Sequence, residues 1–386
     1  MFKNDFEIIY EQKSKNLDFI AIATSHWHAL GIDAFLYDLF NKNKQKMSGI
    51  ILISSHPKDG IIINENDFAC NEFLDVKFYF VKTSQNISLL RRIFRSISER
   101  FSIICGIKSI IGSNAENTLY LITPIKPNIR LIKYFKNKNF SNKYSPIFVI
   151  VDEGFGSYVS KKIRSLVRNV DSKDIKSTIF LIKFSNYINL FLEKILMRYV
   201  KVEERLLFSK NKVHLEVNGN ICDSYKNVLT LRNKDLEINN TGKKILIVTQ
   251  PFSEYNQIPI NEELKILDSL IKFINKKGIK PILKPHPREK TDKYHDFYVS
   301  NLEIIQSDFP VEELISVLNP ICVIGYTSTA LLNSKIFYNI ISISLSNLIL
   351  AVSDDELLTI STNEFIKITS DHIEFINKID DICEFI

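Results

Sequence analysis

The feature that most constrains the fold is an alternation of short apolar runs with segments of helical period, interrupted once and then resumed. In the first half, Asp18 to Ala23, Gly49 to Ser54, Lys77 to Val81, Thr118 to Thr123 and Ile147 to Val151 read as strands. Between them, His28 to Phe40, Ile87 to Arg100 and Tyr158 to Arg168 carry apolar residues at helical spacing. Ser172 to Asn240 is less regular, with an apolar helix predicted over Ile175 to Val200 and a short strand at Arg205 to Phe208. Polar Asn239 to Gly242 reads as a linker.

The alternation then restarts. Lys244 to Thr249, Ile279 to Lys284, Leu302 to Ile305, Ile321 to Gly325 and Asn339 to Ser344 read as strands, and Asn261 to Lys276 and Val311 to Leu318 as helices. A last helix is expected from Asp371 to Phe385. Strands separated by helices of this length build parallel sheets with helices on their faces. The fold class expected is therefore α/β, with two Rossmann-like domains, 1–240 and 241–386, facing each other across a cleft and the terminal helix packing back on the first. At 386 residues the chain is long enough for two such cores.

Composition narrows the classes. Hydrophobic residues make up 45% and charged residues 24%, the balance of a water-soluble globular protein. No apolar run approaches the roughly 18 residues of a membrane span, and no signal-like segment precedes the first strand, so a cytoplasmic setting is expected. Five scattered cysteines without a Cys-x-x-Cys pair argue against disulfides and a zinc site. Gly154 and Gly156 begin a Gly-x-Gly, but Val159 takes the third glycine position, and no Gly-Lys-Ser/Thr loop occurs. No Asp-x-Asp is present, and Asp354-Asp355-Glu356 falls in a late loop. His26 and His28 follow the first strand, but no further ligand lies at metal spacing, so cleft lining or helix capping is expected of them. The expectation is no metal and no cofactor.

Three strand ends carry candidate chemistry. At Lys284-Pro285-His286-Pro287-Arg288 two prolines stiffen the backbone around a histidine flanked by cations, a tip suited to meet a phosphate. The run ending at Gly325 passes through Tyr326 into Thr327, Ser328 and Thr329 and then a helix start, so hydroxyls sit beside unpaired N–H groups. An ordinary N-cap fits the same residues. The run ending at Val151 delivers Asp152 and Glu153, followed by Gly154; one acid can face a cleft as general base while the other is tied down. A helix-start acid pair is the competing reading. His56-Pro57 has no hydroxyl cluster after it and reads as structural.

The net charge is +6, and the basic residues cluster: Arg91, Arg92 and Arg95 share a helical face, as do Lys161, Arg164 and Arg168. Such faces are usually solvated; if functional, they favour a polyanionic acceptor or an anionic lipid surface. No aromatic-interleaved basic stripe points to nucleic acid.

Taken in order, Asp152-Glu153-Gly154, Lys284-Pro285-His286-Pro287 and Ser328-Thr329 resemble the motifs of bacterial sialyltransferases of the two-domain GT-B type, closest to the capsular polysialyltransferases and next to the lipooligosaccharide sialyltransferases. The resemblance implies a CMP-sialic acid donor in the second domain, held by His286, Lys284, Pro287, Thr327, Ser328 and Thr329. It implies a base from the first domain, Glu153 or Asp152, with Glu153 favoured. Phe309-Pro310-Val311-Glu312-Glu313 is similar to a Pro-x-Glu that bonds the ribose, which points to Glu312 or Glu313. Gln250, after the second domain's first strand, matches a donor-contacting position. A protonated His286 would then stabilise the leaving phosphate. Arg91, Arg92, Arg95, Lys161, Arg164, His26 and His28 would serve the acceptor, an anionic oligo- or polysialic acid or a glycolipid. The expected partners extend to the inner membrane's cytoplasmic face and the capsule assembly machinery. The alternatives are transfer to a terminal galactose of lipooligosaccharide, a sugar-nucleotide epimerase on the same fold, and a non-catalytic glycan-binding protein.

Overall fold

The computed structural model describes residues 17–53, 63–80, 117–124, 144–154, 157–158, 201–210, 215–232, 242–290, 292–295, 302–306 and 310–386. The chain divides into two compact units; it passes from the first to the second between Glu153 and Gly154 and again between Leu206 and Leu207.

In the first unit, β1 (Phe19–Ala23), β2 (Ser48–Ile53), β3 (Asp75–Phe80), β4 (Asn117–Thr123), β5 (Tyr144–Val151) and β6 (Lys201–Arg205) form a parallel sheet in the order β3-β2-β1-β4-β5-β6. Residues such as Ile20, Ile50, Ile51 and Leu121 are fully buried, as expected of parallel strands covered on both faces. Helix α1 (His26–Asn43) follows β1, and Ser25 caps it by accepting from the His28 N–H. The cap is thus Ser25, and the histidines lie inside the first turn.

The second unit begins with the antiparallel hairpin of β7 (Phe208–Lys210) and β8 (Leu215–Val217) and helix α2 (Gly219–Arg232). The sequence reading groups these residues with the first half. They pack instead in the second unit: the Tyr225 ring stacks on Phe337 and Arg232 pairs with Glu313. The strand expected over Arg205 to Phe208 is two strand ends, β6 and β7, on either side of the unit boundary.

The second sheet comprises β9 (Lys244–Val248), β10 (Lys280–Lys284), β11 (Glu303–Ile304), β12 (Cys322–Gly325), β13 (Ile341–Ser344) and β14 (Glu374–Phe375), all parallel. Its order, β11-β10-β9-β12-β13-β14, repeats that of the first sheet. In each the direction of winding reverses beside the first strand, which is the Rossmann arrangement with its crevice at the switch point. Helices α3 (Ile260–Lys276), α4 (Val311–Leu318), α5 (Thr329–Tyr338), α6 (Ser346–Val352) and α7 (Glu356–Thr369) complete the unit. Leu267, Leu270, Ile271 and Ile274 form the buried stripe of α3 at helical spacing.

Two further expectations are corrected. The segment Asp371 to Phe385 is not an α-helix that crosses back: it forms β14 and a 3₁₀ turn, Ile379–Glu384, whose Ile382 is buried in the second unit's core. Asp355 is not in an unstructured loop but caps α7, accepting from the Leu358 N–H at 2.6 Å.

The switch point of the second sheet is tightly closed. A Cβ at Gly325 would lie 2.9 Å from the Val248 carbonyl oxygen and 2.6 Å from its Cγ2. Gly325→Ala should therefore force β12 from β9 and cost about 1–3 kcal/mol, read as a lower urea midpoint at unchanged m.

Candidate active site

Three strand ends of the second unit stand in one row. Lys284 of β10 pairs in register with Val248 of β9, and Val248 with Gly325 of β12. Two residues beyond that row lie His286, Gln250 and Thr327, so their backbones emerge from neighbouring strands about 4.8 Å apart. All three stand at carboxyl ends, where ligands enter open α/β sheets.

Gln250 spans the switch point. Its Oε1 accepts from the Thr327 N–H at 3.1 Å and the Thr327 hydroxyl at 2.7 Å, while Nε2 donates to the Thr327 carbonyl at 3.2 Å. Expected as a donor contact, Gln250 spends its amide on Thr327. Phe252 reinforces the join edge-to-face on Tyr326, centroids 5.4 Å apart. The Tyr326 carbonyl is fixed from behind by the hydroxyls of Ser344 at 2.6 Å and Ser346 at 3.0 Å. Ser328 caps α5, its Oγ accepting from the Ala330 N–H at 3.2 Å, so the capping reading holds for it; its own O–H is a donor besides. Thr329 opens the helix.

His286 is positioned by its own loop. The Arg288 backbone N–H can only donate, so the Nδ1 it reaches at 3.1 Å is a lone pair, and the neutral ring carries its proton on Nε2. Burial, then the Arg288 charge and Lys284 against an opposing Glu254, lower its pKa from 6.5 to about 4. The ring, expected from sequence as an imidazolium, is thus a neutral N–H donor. Lys284 is buried, and Pro287 and Arg288 are exposed, with Arg288 Nη1 donating to the Tyr255 hydroxyl at 3.2 Å. The His286 backbone N–H donates to Glu289 Oε2 at 2.7 Å. Glu289 was not anticipated; within Arg288-Glu289-Lys290 it reads as surface charge, yet it is buried.

The acid pair divides by burial. Asp152 is fully buried and accepts from the Trp27 indole at 3.4 Å, whereas Glu153 is part-exposed. Gly154, the next residue, takes φ +83°, a conformation that favours glycine, and within the second unit a Cβ there would lie 3.2 Å from Thr329 Oγ1.

His26 is paired with Asp67 at 2.9 Å. His28 accepts from the Thr24 N–H through Nδ1 at 3.3 Å, and burial lowers its pKa to about 4. Glu312 and Glu313 open α4 and are both buried: Asn333 Nδ2 donates to Glu312 at 2.7 Å, and Arg232 pairs with Glu313 at 2.9 Å. Burial raises the Glu312 pKa. Arg91, Arg92, Arg95, Lys161, Arg164 and His56 lie outside the described residues. Among the described residues no three His, Cys, Asp or Glu side chains gather as a metal site would require, and no helix is long and apolar enough to cross a membrane.

A family model for alpha-2,8-polysialyltransferases matches residues 19–347, which span the first sheet, the second sheet except β14, and all three strand-end motifs. The chain belongs to the alpha-2,8-polysialyltransferase family. It is thus a glycosyltransferase of the sialyltransferase type. A comparison with curated proteins gives no match. Among solved structures, the chain is similar to the α/β-galactoside α-2,3-sialyltransferase of Photobacterium phosphoreum, with 12% identity, 95% of this chain and 100% of that one covered, and TM-score 0.45. It is also similar to UDP-GlcNAc 2-epimerase from Methanocaldococcus jannaschii, with 9% identity, 95% and 90% covered, and TM-score 0.45. For the E. coli heptosyltransferase WaaC with ADP the values are 10%, 95% and 98%, and 0.39.

His28 and His286, whose pKa burial lowers, should make the stability of the protein pH-dependent. Each binds a proton more readily unfolded, near 6.5, than folded, at about 4. Their contribution is complete above pH 6.5 and is lost as pH falls towards 4. The urea midpoint should drop across that window, and His28→Gln should shallow the drop.

Proposed function

We propose that this polysialyltransferase is an inverting, metal-independent enzyme that moves sialic acid from CMP-sialic acid to the growing end of an oligo- or polysialic acid chain in capsule synthesis. The α-2,8 linkage of the family's description is the one we assign to its product. The observation that carries the reading is the row His286, Gln250, Thr327 at the switch point of the second sheet, where a nucleotide phosphate is expected to bind.

In this reading the acceptor hydroxyl oxygen attacks C2 of sialic acid as the bond from C2 to the CMP phosphate oxygen breaks. Its proton passes to the Glu153 carboxylate, and the electron pair of the broken bond leaves with CMP. Glu153 is preferred over Asp152 because the latter is fully buried against Trp27. The transition state is oxocarbenium-like, so charge grows on the phosphate. His286 meets it with Nε2–H, Ser328 and Thr329 with hydroxyls, Lys284 and Arg288 with positive charge, and α5 with its N-terminal N–H groups. Pro287 stiffens the tip. Glu312 or Glu313 is assigned to the ribose, and Gln250 acts through Thr327. The metal-independent assignment rests on the lack of an Asp-x-Asp in the sequence. The basic clusters of the sequence would draw the acceptor and hold the enzyme at the cytoplasmic face of the inner membrane, next to the capsule assembly machinery.

His286→Ala should lower turnover by about 10²-fold, as for removal of a charge-stabilising donor; near-full turnover would remove its role. Glu153→Gln should abolish transfer while CMP affinity stays within about 3-fold, and a large loss of CMP binding would move Glu153 to the donor.

With labelled CMP-sialic acid, CMP release should require a sialylated acceptor, rise with acceptor length and fall steeply with salt. Equal transfer to galactose-ended acceptors with flat length and salt responses would favour the lipooligosaccharide reading, and donor consumed without CMP release would favour an epimerase.

A further inference from the structure

Behind the His286 loop lies a buried ionic cluster that the transfer chemistry does not use. Glu289 and Lys293 have side chains 0% and 1% exposed and pair at 3.0 Å. Lys293 also contacts Glu263 at 2.8 Å and Glu254 at 3.2 Å, both nearly buried. Burial works against the Lys293 charge, but Glu289 and Glu263 outweigh it and hold its pKa above the ordinary lysine value. Such a cluster is a poor way to gain stability, since apolar residues of similar volume often do as well. Its geometry suggests what it does instead.

The Glu289 carboxylate is divided between two tasks. Oε1 accepts from Lys293 Nζ and from the Tyr294 hydroxyl at 2.7 Å, which anchors it. Oε2 accepts from the His286 N–H at 2.7 Å and the Thr249 hydroxyl at 2.5 Å. One oxygen thus ties the exit of β10 to the exit of β9, and Thr249 is followed by Gln250, which holds Thr327. We propose that Glu289 is a positioning residue for sialyl transfer, setting the His286 backbone against the Thr249–Gln250 strand end so that the imidazole and the Thr327 turn address one phosphate. This rests on the reading of His286 as a donor contact.

The test is a cycle of wild type, Glu289→Gln, His286→Ala and the double variant, with kcat and KM for CMP-sialic acid measured beside the thermal midpoint. Glu289→Gln should lower kcat about 10- to 100-fold with KM within about 3-fold, and the double variant should fall no more than about 3-fold below His286→Ala alone. Losses that multiply would show that Glu289 acts independently of His286 and overturn the proposal. If His286→Ala retains most activity, the donor-site reading itself fails and the proposal with it, a result distinct from multiplication. Should Glu289→Gln not fold, Thr249→Val removes one Oε2 partner with little change of shape. Its loss should be about 5-fold in the wild-type background and vanish beside His286→Ala. No loss, or a loss that persists beside His286→Ala, overturns the proposal.

Discussion

The parallel register that sets Lys284, Val248 and Gly325 side by side is the constraint on which the geometry of the second unit's strand ends depends. Once it is fixed, the residues two positions further along each strand emerge together at the carboxyl edge. Only glycine lets β12 lie this close to β9, and the closeness brings Thr327 within reach of Gln250. A one-residue slip would turn every side chain to the opposite face. The candidate site is thus a consequence of strand pairing more than of any loop.

What the loops add is polar cross-bracing. Backbone groups at a strand end have no ladder partner, and buried ones must find another. Here Gln250 satisfies Thr327, Glu289 satisfies His286, and Ser344 with Ser346 satisfies the Tyr326 carbonyl. Each bond closes a backbone vacancy and fixes the direction of a side chain next to it. Neutral His286 fits this scheme: a ring that is already oriented and uncharged needs no counter-ion.

Much of this was legible in the sequence, because apolar runs in parallel sheets are nearly continuous and glycine, proline and hydroxyl residues punctuate their ends. Val311–Leu318 forms the helix expected of it, and the His286 and Thr327 tips stand where the pattern puts them. Charges that go inside were not legible. Glu289 and Lys293 stand four apart, the spacing of a solvated helix pair, and only the fold reveals that both are buried. Gln250 stands at the strand end the pattern gives it, but its observed partner, Thr327, is 77 residues away and no local rule names it. The closing segment misled because apolar residues three apart share one face of an α-helix as readily as they recur in a 3₁₀ turn, and a 3₁₀ turn is what forms beside β14.

The central claim is that the row His286, Gln250, Thr327 receives the phosphate of CMP. Histidine labelled with ¹⁵N, observed by NMR at neutral pH while CMP is titrated, tests it most directly. The His286 resonance, assigned by its loss in His286→Ala, should show a neutral ring protonated on Nε2 before ligand and a large shift at Nε2 on saturation. Saturable CMP binding that leaves this resonance where it stood would contradict the account.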